Sequence, residues 1–104
     1  MTAPFVAAVA AARPALIMEV KRRSGAGADL LADRSPAAVA AAYERAGAAC
    51  LSVVTGRWFG GSAELLAEVV EATSLPVLVK DFVTSRRHVA AAGAAGASAV
   101  LLAA

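Results

Sequence analysis

The stretch Ala15-Leu16-Ile17-Met18-Glu19-Val20-Lys21 joins a short run of large aliphatics to two charged residues spaced two apart. Its aliphatic part, Ala15 to Val20, reads as a buried strand, and similar segments follow at Cys50 to Thr55, Pro76 to Val79 and Ala99 to Leu102. Alanine-rich stretches with helix punctuation separate them. Ser35-Pro36 supplies an N-cap and a first-position proline ahead of Ala37 to Ala46, and Gly47 suits the position just past the end. The inward stripe of that helix is expected at Val39, Ala42, Tyr43 and Ala46, with Glu44 and Arg45 outside. Ser62 caps a second helix, Ala63 to Ala72, whose Leu65, Leu66, Val69 and Val70 face inward while Glu64, Glu68 and Glu71 face water. Ser85 caps a third, Arg86 to Ala95, closed by Gly96. The order is a short N-terminal helix followed by β-α-β-α-β-α-β. Helical crossovers between consecutive buried strands imply a parallel sheet of right-handed units, so the class is α/β.

Composition agrees with one folding unit. Of the 104 residues 60% are apolar, but 30 are alanine, so large core side chains suffice for one domain and not for two. Charged residues make up 17% and the net charge is +2, which excludes an acidic or disordered tail. The few aromatics and the single basic triplet Lys21-Arg22-Arg23 provide neither a stacking platform nor a basic stripe for nucleic acid. Cys50 stands alone, which leaves no internal disulfide and no cysteine-based zinc site, and fits a reducing cytoplasm. Met1 to Ala12 lacks the leading basic residue of a signal peptide. The uncharged run Val89 to Ala104 is broken by Gly93, Gly96 and Ser98 and falls short of the roughly 20 residues of a membrane span.

Function is read from where the polar residues fall. Glu19 and Lys21 close the first strand, Thr55 the second and Lys80 the third. All lie at carboxyl ends, the edge at which parallel α/β folds bind ligands because strand-to-helix loops converge there. Glu19 and Lys21, two apart on a strand, project to one face above Ile17. With Leu78 facing inward Lys80 joins them, and Lys80 and Glu19 are expected at the ends of neighbouring strands, within reach of one ligand. Two ammonium groups and a carboxylate suit an anionic substrate and a lysine general acid. A plain salt bridge at a sheet end accounts for the spacing equally well. Trp58-Phe59-Gly60-Gly61 follows the second strand, where an aromatic pair either walls a flat ring or tucks onto its own helix. Gly25-Ala26-Gly27 has Leu30 where a dinucleotide fingerprint needs glycine, so it reads as a flexible loop. His88, beside Arg86 and Arg87, reads as part of a solvated face without a partner, and Cys50 as a small core residue.

The segments carrying these residues are Ile17-Met18-Glu19-Val20-Lys21-Arg22-Arg23-Ser24, Ala48-Ala49-Cys50-Leu51-Ser52-Val53-Val54-Thr55, Leu75-Pro76-Val77-Leu78-Val79-Lys80-Asp81-Phe82 and Gly96-Ala97-Ser98-Ala99-Val100-Leu101-Leu102. In one collinear order from about Pro4 onward, they closely resemble the indole-3-glycerol-phosphate synthase family. The Glu-x-Lys, Phe-x-Gly-Ser and Lys-Asp-Phe motifs carry the likeness. The resemblance implies a TIM-type (β/α)8 barrel, of which residues 1–104 form a single partial domain, a parallel half-barrel of about four strands. It also implies a carbon-carbon lyase of tryptophan biosynthesis that cyclises and decarboxylates 1-(2-carboxyphenylamino)-1-deoxyribulose 5-phosphate. Such an enzyme uses no cofactor and no metal, and binds neither nucleic acid nor membrane.

By motif, Lys80 matches the family's third-strand lysine, the general acid that protonates the substrate carbonyl oxygen as the ring closes. Lys21 matches the first-strand lysine, which pairs with the substrate carboxylate and donates a proton in dehydration, and Glu19 the glutamate that holds these lysines. Phe59, Phe82 and Leu101 match the apolar pocket around the anthranilate ring, and Ser24 the first serine of a Ser-Pro-Ser substrate loop. Gly25-Ala26 departs from that loop's Pro-Ser, removing a rigid turn residue and a hydroxyl. A whole barrel needs about 250 residues and eight strands. The family's strand-five glutamate base, strand-six asparagine and later phosphate loops have no counterpart in this sequence. The expectation is an N-terminal half-barrel, a piece of a longer product or a short homologue, inactive by itself. One rival is another phosphate-binding barrel such as phosphoribosylanthranilate isomerase, whose Cys and Asp pair is poorly served by Cys50 at a strand's start. The other is a non-catalytic half-barrel that forms a homodimer or docks with a complementary half-barrel chain.

Overall fold

In a computed structural model that describes residues 4–102, α1 (Pro4–Ala11) leads into a four-stranded parallel sheet. The strands β1 (Ile17–Val20), β2 (Cys50–Val54), β3 (Val77–Lys80) and β4 (Ala99–Val100) lie side by side in chain order. The helices α2 (Pro36–Arg45), α3 (Ala63–Ala72) and α4 (Arg86–Ala94) connect them. This is the β-α-β-α-β-α-β order read from the sequence, and consecutive parallel neighbours make it a partial (β/α) barrel. The strands β1, β2 and β4 are shorter than their aliphatic runs, Thr55 falling just past β2 and Leu101 just past β4, while β3 is shifted by one residue and takes in Lys80. The far ends of the apolar stretches 1–12 and 89–104 lie outside the described residues.

Alternation along the strands sorts the side chains into two layers. Val20, Leu51, Val53, Val77 and Val79 are buried against Val39 and Ala40 of α2 and Leu65, Leu66 and Val69 of α3. Each such aliphatic contributes about 1.5–3 kcal/mol when fully buried. On the opposite face Ser52 and Val54 are buried, Leu78 is half-buried, and Ile17 is exposed. Cys50, fully buried at the start of β2, behaves as the expected small core residue, and burial pushes its thiol pKa up.

The three serine caps form as read. Ser35 Oγ accepts from Ala38 N–H at 3.1 Å, Ser62 Oγ from Leu65 N–H at 3.1 Å, and Ser85 Oγ from His88 N–H at 3.2 Å. Gly47 takes the left-handed conformation past α2, with φ 97°, as its place after the helix requires. Three details of the helices differ from the sequence pattern. The core stripe of α2 is Pro36, Val39, Ala40 and half-buried Tyr43, whereas Ala42 and Ala46 are exposed. Glu44 is turned to the loop before β3, where its carboxylate accepts from the Thr73 hydroxyl, from Ser74 N–H at 3.0 Å and from Ser74 Oγ at 2.7 Å. Glu68 of α3 likewise does not simply face water, because its Oε2 accepts from Ala37 N–H at 3.0 Å and caps the positive end of α2. His88 also has a partner, since its Nδ1 accepts from Thr84 N–H at 3.4 Å. Among the described residues no helix is long and apolar enough to cross a membrane.

Glu44 makes stability pH-dependent. The Thr73 hydroxyl first, then the Ser74 hydroxyl and amide, lower its pKa below the ordinary 4.5. A carboxylate whose folded pKa is depressed contributes fully above its unfolded value and loses that contribution as pH falls through the folded one. Wild type is therefore expected to exceed Glu44→Gln in urea midpoint at neutral pH, with the gap shrinking below about pH 4.5. A gap that stays constant into acid would show that the charge on Glu44 is not what the clip uses.

Candidate active site

The strand registers build the site. Glu19 of β1 pairs with Ser52 of β2, Ser52 with Leu78 of β3, and Val54 with Lys80 one pleat higher. Glu19 and Lys80 thus share a face, as expected, but not as neighbours, because β2 runs between their strands. Strands two places apart are separated by about 9–10 Å, a gap only two long side chains can close. Lys80 Nζ lies 3.1 Å from Glu19 Oε1, above the buried Ser52. The pair is half-open to solvent, with side-chain exposures of 50% and 36%.

Lys21, just past β1, places its Nζ 4.4 Å from the centre of the Phe59 ring, a cation–π contact. A cavity of about 180 Å³ opens between these groups, lined by Lys21, Lys80, Val54, Phe59, Phe82 and Leu101 among others. A second, of about 270 Å³, lies on the α2 side of Glu19 and Lys21 and reaches Leu31, Arg34 and Tyr43. The structure therefore gathers Lys21, Lys80, Phe59, Phe82 and Leu101 around one cavity and ties Glu19 to it through Lys80. Ser24 does not line that cavity; its Oγ accepts from Ala28 N–H at 3.0 Å within the loop after β1.

The aromatic pair after β2 divides. Residues Arg57–Phe59 form one 3₁₀ turn, in which consecutive side chains point about 120° apart, so Phe59 lines the cavity while Trp58 is 84% exposed. Gly61 lets this turn close on the end of β2. A Cβ at Gly61 would lie 2.4 Å from both the Thr55 carbonyl carbon and the Val54 oxygen, a clash no rotamer relieves.

Two supports were not legible as site residues. The Tyr43 hydroxyl donates to the Glu19 backbone oxygen at 2.9 Å, fixing α2 to the carboxylate-bearing residue. The Thr55 hydroxyl donates to Asp81 Oδ2 at 2.9 Å, joining the ends of β2 and β3. Thr55 stood out only as a strand-end polar residue and Asp81 only as the middle of Lys-Asp-Phe. Ser52 Oγ, in contrast, is buried with no hydrogen-bond partner among the described residues.

The family model described as indole-3-glycerol phosphate synthase matches residues 2–104. The chain belongs to the indole-3-glycerol phosphate synthase family. It is 51% identical over 90 residues to an indole-3-glycerol phosphate synthase of Neisseria meningitidis, covering 86% of this chain and 35% of that protein. It is 47% identical over 102 residues to one of Geobacillus thermodenitrificans, covering 95% of this chain and 40% of the relative. A Leptothrix cholodnii synthase is 48% identical over 97 residues, 92% of this chain and 37% of its own. The chain thus spans between 35 and 40% of the length of these relatives.

The arrangement in this family member offers a ring-sized cavity with apolar walls and two ammonium groups at its edge, one held by a carboxylate. Because the Lys80–Glu19 pair is half-exposed, it holds geometry more than it holds the fold. Glu19→Gln is expected to change stability by less than about 1 kcal/mol in urea unfolding. The ¹³Cε signal of Lys80 should shift at the same time, and an unmoved Lys80 signal would show that the bridge is not formed in solution.

Proposed function

We propose that this chain supplies the first four β/α units of an indole-3-glycerol phosphate synthase, a lyase of tryptophan biosynthesis. The observation that carries the reading is the convergence of Lys21 and Lys80 on one cavity walled by Phe59, Phe82 and Leu101. In this reading the substrate's carboxyphenyl ring lies against the apolar wall and Lys21 pairs with its carboxylate. Ring closure joins the carboxylate-bearing ring carbon to the ribulose carbonyl carbon, and the carbonyl oxygen takes its proton from Lys80. Carbon dioxide then leaves, its bonding electrons restoring the aromatic ring, and the new hydroxyl leaves as water while the adjacent nitrogen-bearing carbon gives up a proton to a base, which completes the indole. Lys21 donates the proton for that last step, and Glu19 keeps Lys80 aimed. The base and the phosphate loops come from the part of the barrel that the relatives carry beyond the matched stretch. The test is co-expression with that remaining part of the Geobacillus thermodenitrificans synthase. Indole-3-glycerol phosphate should form in the mixture and not with the chain alone, and Lys80→Ala should lower the rate about 10²- to 10⁴-fold. Full activity in the Lys80→Ala mixture would remove Lys80 from the chemistry.

A second reading concerns the partner. Ile17 and Leu101, on the edge strand β1 and just past the edge strand β4, are 46% and 42% exposed although apolar. Unpaired edges and an apolar face favour docking with another chain, either a second copy or a complementary half-barrel. Purified chain is expected to sediment as a dimer or larger species, and Leu101→Lys to shift it toward monomer. A compact monomer at high concentration would count against self-association.

A further inference from the structure

Past the last paired residue of β3 the chain bends away from the sheet, and Lys80, Asp81 and Phe82 all border the cavity, while Val79, Asp81 and Val83 line the groove between α3 and α4. Asp81 therefore stands between the two spaces at the point where strand pairing no longer fixes the direction of the chain. The last main-chain link between the two strand ends, Thr55 N–H to Lys80 O, is long at 3.3 Å. Side chains take over from there. Asp81 Oδ2 accepts from the Thr55 hydroxyl at 2.9 Å, and Oδ1 accepts from Phe82 N–H at 2.7 Å, a short, charge-assisted bond. Gly56 leaves room for this carboxylate, since a Cβ there would stand 3.3 Å from Asp81 Oδ1.

We propose that Asp81 is a positioning residue: clipped to Thr55 and to its own following amide, it keeps the β3 end turned so that Lys80 and Phe82 both face the cavity. Asp81 bears on both flanking residues because it is hydrogen-bonded directly to Phe82 N–H and, through Thr55, to the end of β2 whose main chain holds Lys80 O. Releasing it frees Lys80 from the Glu19 bridge and swings Phe82 off the ring wall. A misplacement of about 1 Å in a reacting group can cost 10²-fold in rate.

This rests on the functional reading above, so the test has two arms. In the chain alone, NMR of Thr55→Val and Asp81→Asn should show the Phe82 amide proton moving upfield and the Lys80–Glu19 contact weakening, with Thr55→Ser restoring both. In the co-expressed enzyme, Thr55→Val and Asp81→Asn should lower kcat about 10- to 100-fold, with Thr55→Ser recovering most of it. A merely structural role would lower the amount of folded enzyme and leave kcat per folded molecule unchanged, which overturns the proposal. An unmoved Phe82 amide and an intact Lys80–Glu19 contact in both variants also overturn it. If the wild-type mixture makes no product while the NMR changes appear, the functional reading fails and the clip stands.

Discussion

The packing of Val20, Leu51, Val53, Val77 and Val79 against α2 and α3 sets the pleat of each strand, and the pleat decides where chemistry is possible. Once these residues are committed to the helix layer, Glu19, Val54 and Lys80 have one direction left, into the face where the cavity opens. A slip of one residue in any strand would exchange the two sets, placing a lysine under a helix and a valine in the mouth. Burial thus enforces the site's geometry indirectly, through residues that never touch it. The half-exposed Lys80–Glu19 bridge and the Lys21–Phe59 contact refine a placement already made.

That division explains what was legible in the sequence. Strand and helix order, the three serine caps and the carboxyl-end position of Glu19, Lys21 and Lys80 depend on local pattern, and pattern is what a sequence displays. The rotation of α2 was not legible, because Ala42 and Ala40 have the same side chain, and the tertiary bonds that accompany the observed face, Glu44 to Thr73 and Ser74 and Glu68 to Ala37, are distant in sequence. Glu68 looked like a solvated residue for a related reason: its partner is the start of α2, far away in sequence. Glu19 and Lys80 were expected on adjacent strands, but strand order places β2 between them and side-chain length closes the gap. The Phe59 and Trp58 split depends on a single 3₁₀ turn, which hydrophobic periodicity does not resolve.

The departure at Gly25-Ala26 also takes on a structural meaning. Its loop is anchored at the base, where Arg23 N–H donates to Phe59 O at 2.9 Å and Leu30 N–H to Arg22 O at 2.8 Å. Above that, Ser24 closes the turn twice, its N–H donating to Ala28 O and its hydroxyl accepting from Ala28 N–H, both at 3.0 Å. Asp29 then accepts from Leu31 and Ala32 N–H, each at 3.2 Å, starting the return toward α2. Gly25 and Ala26 occupy only the tip, and a Cβ at Gly25 would meet Phe59 at an ordinary 3.9 Å. Glycine and alanine there, where the family resemblance implies Pro-Ser, leave backbone freedom at the tip, while the bonds at the base hold the strand that carries Glu19 and Lys21. The loop's contacts with Phe59, and through that ring with Lys21, are held by its base, so the altered tip bears on what the loop presents to a ligand and not on where the lysine stands.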